Sequence, residues 1–416
     1  MRPPGLQPST PFAARYPAAR YPPSLESPNM IDYRLRTRIV AGEGAIEQLG
    51  TLAKELGAQR ALVVSDPGVV SAGLYDQGVR SLQAAGVTVH GFHGLSENPS
   101  TDHVAAGLLV AREVRPDLLV GLGGGSSMDC AKGINFLVSC GGQIKDYWGV
   151  GKATGPMLPL IAIPTTSGTG SETQSFALIS DAHTHVKMAC GDPRAAAAVA
   201  ILDPLLTITQ PPRVTALTGI DALTHALETF VTTKRNAVSD CFSREAWMLL
   251  ARGFPRVIEE PLDVAGRTQM QLGASFAGMA IEASMLGAAH ALANPLTAIL
   301  GVPHGQAVGM MMPHAIRFNG TVVAHRYREL LALLPEVASS DPRSSSDILA
   351  ERFTQWLTIA GLATRLRDLP SWPADSDARP ATLDALAEMA TKQWTGSFNP
   401  RPATRDDYLA MYQAAV

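Results

Sequence analysis

Short apolar runs alternate with helix-forming segments over the first half of the chain. Runs typical of buried strands occupy residues 60–66, 87–92, 117–121 and 160–164. Between them, residues 70–86 and 102–114 carry apolar positions at helical spacing. Strands that alternate with helices predict a parallel sheet covered on both faces. We therefore predict an α/β domain over residues 31–208.

The pattern changes after Pro204. Long stretches rich in Ala, Leu and Met follow, separated by Pro or Gly and poor in β-favouring runs. They lie at residues 214–229, 240–252, 267–283, 306–318 and 346–360. This texture predicts an all-α second domain over residues 209–416, so that the fold class is an α/β domain followed by a helical one.

The first 30 residues resemble neither domain. They are rich in Pro, Ala and Arg and lack the apolar core of a secretory signal. Proline at this density predicts a disordered tail over residues 1–30. An acid-poor segment that contains Arg leaves an organellar transit peptide as an alternative.

Composition narrows the class of protein. A chain of 416 residues with 46% hydrophobic and 17% charged residues is typical of a soluble globular protein of two domains. Its net charge of −3 creates no basic field, so we expect neither a nucleic-acid nor a membrane partner. The 4 cysteines form no CxxC pair, which predicts reduced thiols and a cytoplasmic location.

A glycine-rich turn follows the strand at residues 117–121. In GLGGGSSMD, Gly123, Gly124 and Gly125 let the backbone pass close to a ligand. Ser126 and Ser127 then open a helix whose free N–H groups can bind an anion. The spacing is not G-x-G-x-x-G, and a tight turn without a ligand is the alternative. Its position after a buried strand favours a pyrophosphate.

Two further polar features follow buried strands. The run PTTSGTGSE, residues 164–172, offers hydroxyls and glycines to a phosphate or ribose, or else caps a helix. Asp66 ends the run ALVVSD, where a carboxylate can accept hydrogen bonds from a ribose and repel a 2′-phosphate. That position favours NAD over NADP, with a turn residue before Pro67 as the alternative.

Four residues of the second half have the chemistry of metal ligands. Asp221 and His225 are four apart, so they lie on one face of a helix. His290 and His304 could come from a second helix and the turn after it. One carboxylate and three imidazoles without a thiolate suit Fe(II), and also Zn(II), Mn(II) or Ni(II), and can leave a position open for substrate. For each histidine, a packed core residue is the alternative.

Together these motifs resemble the iron-containing (group III) alcohol dehydrogenase family, over about residues 33–314. The resemblance is carried by GGGSSMDCAK, PTTSGTGSE, the Asp-x3-His pair and the later His-x13-His spacing. It implies a Rossmann-like dinucleotide-binding domain, a helical metal-binding domain and a cleft between them. It implies Fe(II), with Zn(II) as the alternative, held by Asp221, His225, His290 and His304. It also implies that NAD is contacted by Asp66, Asn98, Gly124, Gly125, Ser126, Asp129, Thr165, Thr166, Thr169 and Lys187.

The resemblance further implies an activity. It is hydride transfer between NAD(H) and a small alcohol, aldehyde or ketone, by a homodimer or larger homo-oligomer. Many family members carry a histidine four residues after the third ligand, where this chain has Asn294. Asparagine cannot act as an acid or base near neutral pH. Asn294 is therefore a candidate for the substrate pocket, or caps a helix that begins at Pro295. Further pocket candidates are Phe176, Leu286 and Trp148.

Other functions stay open at this stage. A maleylacetate-reductase-like or hydroxyacid–oxoacid-transhydrogenase-like enzyme would share the cofactor turns and differ around the substrate. A dehydroquinate-synthase-like lyase would need Lys and Arg for a sugar phosphate, and residues 280–309 contain none. A non-catalytic nucleotide- or metal-binding protein is the alternative from a different class.

Overall fold

The computed structural model of the chain describes residues 33–184, 186–334 and 343–416. Residues 35–416 form one compact unit, whose fold is given below. Of a second unit, Met1–Arg34, only the last two residues belong to the described part. The tail predicted over residues 1–30 lies outside the described residues.

The strands of the described residues all precede residue 203. In chain order they are β1 (Arg38–Ala41), β2 (Arg60–Val64), β3 (Thr88–Phe92), β4 (Leu118–Gly123), β5 (Gly149–Val150), β6 (Leu160–Pro164), β7 (Phe176–Ser180), β8 (Lys187–Gly191) and β9 (Val199–Leu202). The strands predicted at 60–66, 87–92, 117–121 and 160–164 are β2, β3, β4 and β6.

The main sheet has six parallel strands in the order β1-β9-β6-β4-β2-β3. β3 pairs with one edge of β2, and β4 pairs with the other edge of β2. The order in which successive strands join the sheet therefore reverses at β2. In open α/β sheets, ligands bind outside the carboxyl ends of the strands at such a point. The turns predicted to bind the cofactor follow β2, β4 and β6.

The helices divide into two sets. The first covers the sheet: α1 (Leu49–Glu55), α2 (Pro67–Ser71), α3 (Leu74–Ala84), α4 (Thr101–Val114) and α5 (Gly125–Cys140). The second builds the rest of the chain: α6 (Pro212–Val231), α7 (Ala237–Glu259), α8 (Val264–Ala283), α9 (Ala288–Leu300), α10 (His304–Leu331), α11 (Ser345–Ile359), α12 (Arg379–Ala390) and α13 (Arg405–Ala414). Short 3-10 helices span Ala45–Gln48, Ile144–Tyr147, Ser171–Thr173, Pro193–Ala195, Pro204–Thr207, Leu366–Asp368, Ser376–Ala378 and Trp394–Phe398.

Alternate side chains of the sheet enter two apolar layers. Leu62 and Val64 of β2 pack in the layer that contains α4 and α5. Ala61 and Val63 of the same strand pack in the layer that contains α1 and α3. Side chains of a strand point to opposite faces in turn, so this arrangement requires the continuous apolar run that the sequence shows. The predicted sheet covered on both faces is confirmed.

A second, three-stranded sheet was not predicted. β7 and β8 form an antiparallel hairpin, and β5 pairs parallel to β8. Its strands are short, and β7 alternates buried with half-buried residues. The hairpin places Phe176 and Lys187 on adjacent strands.

The helices after residue 211 enclose one apolar core of their own. Predicted helices at 214–229, 240–252, 267–283, 306–318 and 346–360 are parts of α6, α7, α8, α10 and α11. The predicted boundary at residue 208 falls between β9 and α6 and remains a prediction. Within the described residues, no single helix is long and apolar enough to cross a membrane. α8 and α9 meet that length and apolarity only when they are taken together, and the pair is bent by 104°.

Candidate active site

Asp221 stands in the middle of a buried group of imidazoles. Its Oδ1 lies 3.3 Å from Nε2 of His225, 3.5 Å from Nε2 of His290 and 3.8 Å from Nε2 of His304. Ligand atoms of Asp221, His290 and His304 all lie within 4.8 Å of one another. His225 is outside that mutual group, although its ring stacks on the His290 ring with centroids 4.9 Å apart.

Three helices supply these side chains. Asp221 and His225 occupy successive turns of α6, as their spacing predicted. His290 lies in the first turn of α9, and His304 is the first residue of α10. The side chain of His304 is 27% exposed, against 5% for that of His290. The group therefore opens toward solvent on the side of His304.

Two atoms of the group indicate a cation. Oδ1 of Asp221 and Nε2 of His290 are buried and have no hydrogen-bond partner among the described residues. A carboxylate oxygen and an imine nitrogen are both acceptors, and buried acceptors left unpaired are costly. A divalent ion between them satisfies both atoms, and ligands of nitrogen and oxygen suit a first-row metal. The residues thus fit the metal predicted from the sequence.

Glu228 fixes the orientation of the His290 ring, and it was missed at the sequence level. Its Oε2 lies 2.6 Å from Nδ1 of His290. The same carboxylate accepts hydrogen bonds from the backbone N–H groups of Gly287 and Ala289, where α9 begins. A proton on Nδ1 leaves Nε2 free to face Asp221. Glu228 is 7 residues after Asp221 in a helix, a spacing that could have found it.

Among the three imidazoles, only His290 has a raised pKa, whereas burial lowers the pKa values of His225 and His304. Burial opposes ionisation of Asp221, but His225 and His290 lower the pKa of its carboxyl below the usual range. Burial also disfavours a charged His290, yet Glu228 and Asp221 raise its pKa to about 9. Burial lowers the pKa of His304 to about 3, so that imidazole is neutral. A metal would replace the proton that His290 otherwise holds between two carboxylates.

The glycine-rich turn joins β4 to α5, with Gly124 as the residue before the helix. A Cβ atom on Gly125 would lie 2.7 Å from the side chain of Thr169, and one on Gly124 would lie 3.5 Å from that of Thr166. The backbone N–H of Thr165 donates to the carbonyl of Gly123. The two predicted turns therefore lie against each other at the carboxyl end of the sheet.

Asp66 lies beside the same turn and also caps a helix. Its Oδ1 accepts hydrogen bonds from the N–H groups of Gly68 and Val69, and its Oδ2 accepts from the hydroxyl of Ser127. Both interpretations made from the sequence are thus compatible with its position. One carboxyl oxygen caps the start of α2, and the other accepts a hydrogen bond at the start of α5.

Asn98, Ser126 and Lys187 form a further contact group at the start of α5. The N–H of Asn98 donates to Oγ of Ser126, and its Oδ1 accepts from Nζ of Lys187. Asn98 has a φ of 54°, which Asn tolerates better than most residues. Much of Lys187 is accessible to solvent, but nearby protein atoms still lower the pKa of its ammonium, against the attraction of Asp129 and Asp221. Lys187 is therefore joined through Asn98 to the start of α5, and its charge is attracted by Asp129 and Asp221.

Asp129 is buried, and its carboxylate is bonded to other residues of the protein. Its Oδ1 accepts a 2.6 Å hydrogen bond from Oγ of Ser171 and lies 3.8 Å from Nζ of Lys132. Burial raises the pKa of its carboxyl, against the attraction of Lys132. Lys132 itself is fully buried and donates to Ser171 and to the carbonyl of Phe176. These bonds tie α5 to the second turn and to β7.

The glycines of the second turn serve the contact with the helical part. A Cβ on Gly168 would lie 2.5 Å from Cβ of Thr218 in α6, and one on Gly170 would lie 2.6 Å from Cα of Gly278 in α8. Gly170 also has a φ of 63°. The turn is thus wedged against the helix that carries Asp221, which the sequence alone did not reveal.

Asn294 does not cap a helix, so that prediction was wrong. α9 runs from Ala288 to Leu300 and encloses Pro295, because the missing N–H of one proline is tolerated where other contacts hold the helix. Asn294 lies one turn after His290 and donates from Nδ2 to Oε1 of Gln393 at 2.9 Å. Gln393 lies in a region that showed no motif.

The other pocket candidates are dispersed. Phe176 faces the ring of Trp394, with centroids 6.4 Å apart. Leu286 is half-buried in the loop before α9, whereas Trp148 is 51% exposed beside β5. All four cysteines are unpaired, as predicted.

Comparison with known proteins decides the family. The family described as iron-containing alcohol dehydrogenase matches residues 36–204, and the C-terminal family of Fe-containing alcohol dehydrogenases matches residues 215–416. The chain belongs to the iron-containing alcohol dehydrogenase family. The resemblance inferred from the motifs is confirmed.

Relatives in this family cover nearly the whole chain. It is 33% identical over 377 residues to alcohol dehydrogenase 4 of Schizosaccharomyces pombe, which is 90% of this chain and 86% of that protein. It is 33% identical over 389 residues to the NAD-dependent methanol dehydrogenase of Bacillus methanolicus, 93% of this chain and 100% of that one. The crystal structure of a 1,3-propanediol oxidoreductase matches with a TM-score of 0.86 and 32% identity, over 93% of this chain and 100% of that chain. The predicted fold class, a parallel-sheet part followed by a helical part, is confirmed.

Proposed function

We propose that this chain is a metal-dependent alcohol dehydrogenase that transfers a hydride between NAD(H) and a small alcohol, aldehyde or ketone. The observation that carries the proposal is the pair of buried, unpartnered atoms, Oδ1 of Asp221 and Nε2 of His290, in a group of one carboxylate and three imidazoles. Membership of a family whose relatives include an NAD-dependent methanol dehydrogenase supports it.

Asp221, His225, His290 and His304 would hold the metal. A metal bound there supplies a Lewis acid that favours loss of the alcohol proton, while the nicotinamide accepts the hydride. Asp221 supplies the only carboxylate among the four, and three neutral imidazoles leave the site a net positive charge. His304, the most exposed of the four, borders the side from which substrate would enter. We propose Fe(II) as the metal, with Zn(II) as the alternative.

The two turns would bind the cofactor. Gly124, Gly125 and Ser126 offer the free N–H groups at the start of α5 to the pyrophosphate. Thr165, Thr166 and Thr169 lie across the same turn, where their hydroxyls can reach the phosphates or the ribose. Asn98, Asp129 and Lys187 would border the nicotinamide end, since Lys187 links Asn98 to the side of Asp221.

The direct test is an assay with controlled metal content. The protein is chelated, and Fe(II) or Zn(II) is added back before NADH formation is followed with a panel of small alcohols. We expect turnover only after metal is returned. Full activity of the chelated protein would overturn the metal-dependent function. A requirement for a second oxoacid instead of free NAD⁺ would favour the transhydrogenase alternative.

Replacing Asp66 tests the cofactor preference. Asp66→Ser removes the charge and keeps a side chain that can cap α2. We expect the ratio of kcat/KM with NADP to that with NAD to rise about tenfold or more, because a like charge no longer repels the 2′-phosphate. Asp66→Gly is the matched variant that also removes the cap. An unchanged ratio in both would refute the role of Asp66.

The amide of Asn294 gives the substrate pocket a fixed acceptor. Nε2 of Gln393 donates to the carbonyl of Met389, so Oε1 of Gln393 must face Asn294 and receive its Nδ2. Oδ1 of Asn294 is then directed elsewhere, one turn from His290 on the same helix face. It could accept a hydrogen bond from a second hydroxyl of the substrate.

A substitution at Asn294 tests that acceptor. In Asn294→Leu we expect kcat/KM for 1,3-propanediol to fall about tenfold relative to that for 1-propanol, because only the diol loses a hydrogen bond. Asn294→Asp keeps an acceptor and serves as the control. Equal losses for both alcohols would show that Asn294 does not contact the second hydroxyl.

We also propose a cytoplasmic homo-oligomer. The four unpaired thiols support a reducing compartment. The support for a homo-oligomer is the resemblance to the family, and no contact between two chains enters the argument. Light scattering of the purified protein, with a mass near that of one 43.9 kDa chain, would refute it.

A further inference from the structure

Arg267 is buried without a counter-charge. It is 2% exposed, and none of the described residues forms an ion pair with it. Nε donates to the carbonyl of Pro261, and Nη1 donates to Oγ1 of Thr215, both neutral acceptors. Nη2 has no hydrogen-bond partner among the described residues. Burial alone lowers the pKa of the guanidinium, with no acid opposing it. An unpaired buried cation is unfavourable, so this position suits an anion.

The guanidinium lines a cavity of about 380 Å³ at the beginning of α6. Arg213 lines it too, is exposed, and forms no hydrogen bond or ion pair with the described residues. No Asp or Glu is among the lining residues. Two arginines facing one cavity, with no acid to neutralise them, make a site for one negative group rather than a structural ion pair.

The remaining walls of the cavity are apolar. They come from the end of α7 and the end of α11, and include Val257, Ile258, Ile359 and Leu362. Such walls suit a short hydrocarbon chain, and the volume is within the range of small-molecule sites. A planar carboxylate matches the fork of an arginine better than it matches a lysine.

We propose that this cavity, lined by Arg213 and Arg267, is a binding site for a small carboxylate with a short hydrocarbon chain. The site is separate from the one that holds Asp221 and His290. It adjoins the first turn of α6, the helix on which Asp221 and His225 lie.

Hexanoate is the probe for this site. Titration calorimetry on the full, metal-loaded protein should give a dissociation constant of about 1 mM or tighter, as expected for a ligand of this size. Hexanol can also bind at the metal site, and inorganic phosphate can bind at the glycine turn, so each is compared between the wild-type and Arg213→Gln chains. The part of the binding that Arg213→Gln removes should be absent for hexanol, which lacks the charge. For phosphate, which lacks the chain, that part should be at least about tenfold weaker than for hexanoate.

Variants assign the binding to the cavity. Arg213→Gln should weaken hexanoate binding about tenfold, and Arg252→Gln, an exposed arginine of α7 outside the cavity, should not change it. Arg213 forms no hydrogen bond or ion pair with the described residues, whereas Arg267 donates to Pro261 and Thr215, so Arg213 is the variant of choice. His290→Ala should retain hexanoate binding.

Three outcomes would overturn the proposal. One is equal binding to the wild-type and Arg213→Gln chains. Another is a component of hexanol or phosphate binding that Arg213→Gln removes and that is as strong as that of hexanoate. The third is loss of binding in His290→Ala, which would place the carboxylate at the metal instead.

Discussion

His290→Ala is expected to lose bound divalent metal and to reduce turnover by more than about 100-fold. His290 contributes Nε2, a buried atom without a partner, 3.5 Å from Oδ1 of Asp221. Removing the imidazole leaves three of the four ligands and a void in a packed interior. Metal content by mass spectrometry and NADH formation with a primary alcohol measure the two effects separately.

The control for His290 is another histidine of the helical part. His325 is exposed on α10, the helix that begins with His304. His325→Ala should keep both the metal and the activity. If His290→Ala binds metal as the wild type does and turns over normally, the metal site is not where these residues lie.

Glu228→Gln is expected to weaken metal binding by about 10- to 100-fold while the helices stay folded. In the unsubstituted chain, the carboxylate of Glu228 lies 2.6 Å from Nδ1 of His290 and accepts hydrogen bonds from the N–H groups of Gly287 and Ala289. A neutral amide can still accept one of these bonds, but its NH2 group can also donate to Nδ1. The imidazole could then carry its proton on Nε2, the atom that should face the metal.

Two measurements separate this role from a purely structural one. Competition against a chelator gives the metal affinity, independent of turnover. Thermal unfolding of the chelated protein shows whether Glu228→Gln changes the fold itself. A chelated variant much less stable than the chelated wild type, combined with unchanged metal affinity, would show that Glu228 supports α9 and has no part in positioning His290.

The parallel sheet could be predicted because its central strands, β2, β4 and β6, are buried on both faces. Such strands appear in the sequence as continuous apolar runs, as at residues 60–66 and 117–121. They can therefore be recognised without knowing which strands they pair with. The β7–β8 hairpin gave no such signal, because β7 alternates buried with half-buried residues instead of forming a continuous apolar run. Asn294 was wrongly predicted to cap a helix, because proline is common at the first position of a helix. In the structure, Pro295 lies inside α9, which packs against neighbouring helices.

The metal ligands were predictable only in part from the residues themselves. The four-residue spacing of Asp221 and His225 fixes their common helix face. Nothing in the sequence near His290 and His304 shows that three helices converge, so these two were joined to the pair by their ligand chemistry and then by the resemblance. The spacing from Asp221 places Glu228 on the same helix face, but its contact with His290, 62 residues away, is not visible in the sequence. Gln393 meets Asn294 across 99 residues, and no local pattern predicts that contact.

The close approach of Gly170 to Gly278 limits how relatives of this protein can diverge. A methyl group on either glycine would meet backbone atoms of the other within 2.8 Å, so neither position can accept alanine while the other stays where it is. Over evolutionary time both sites should therefore stay glycine, since a second methyl group would only add to the clash. Insertions and deletions should accumulate elsewhere, since a shift here would move the turn after β6 relative to α6, the helix that carries Asp221.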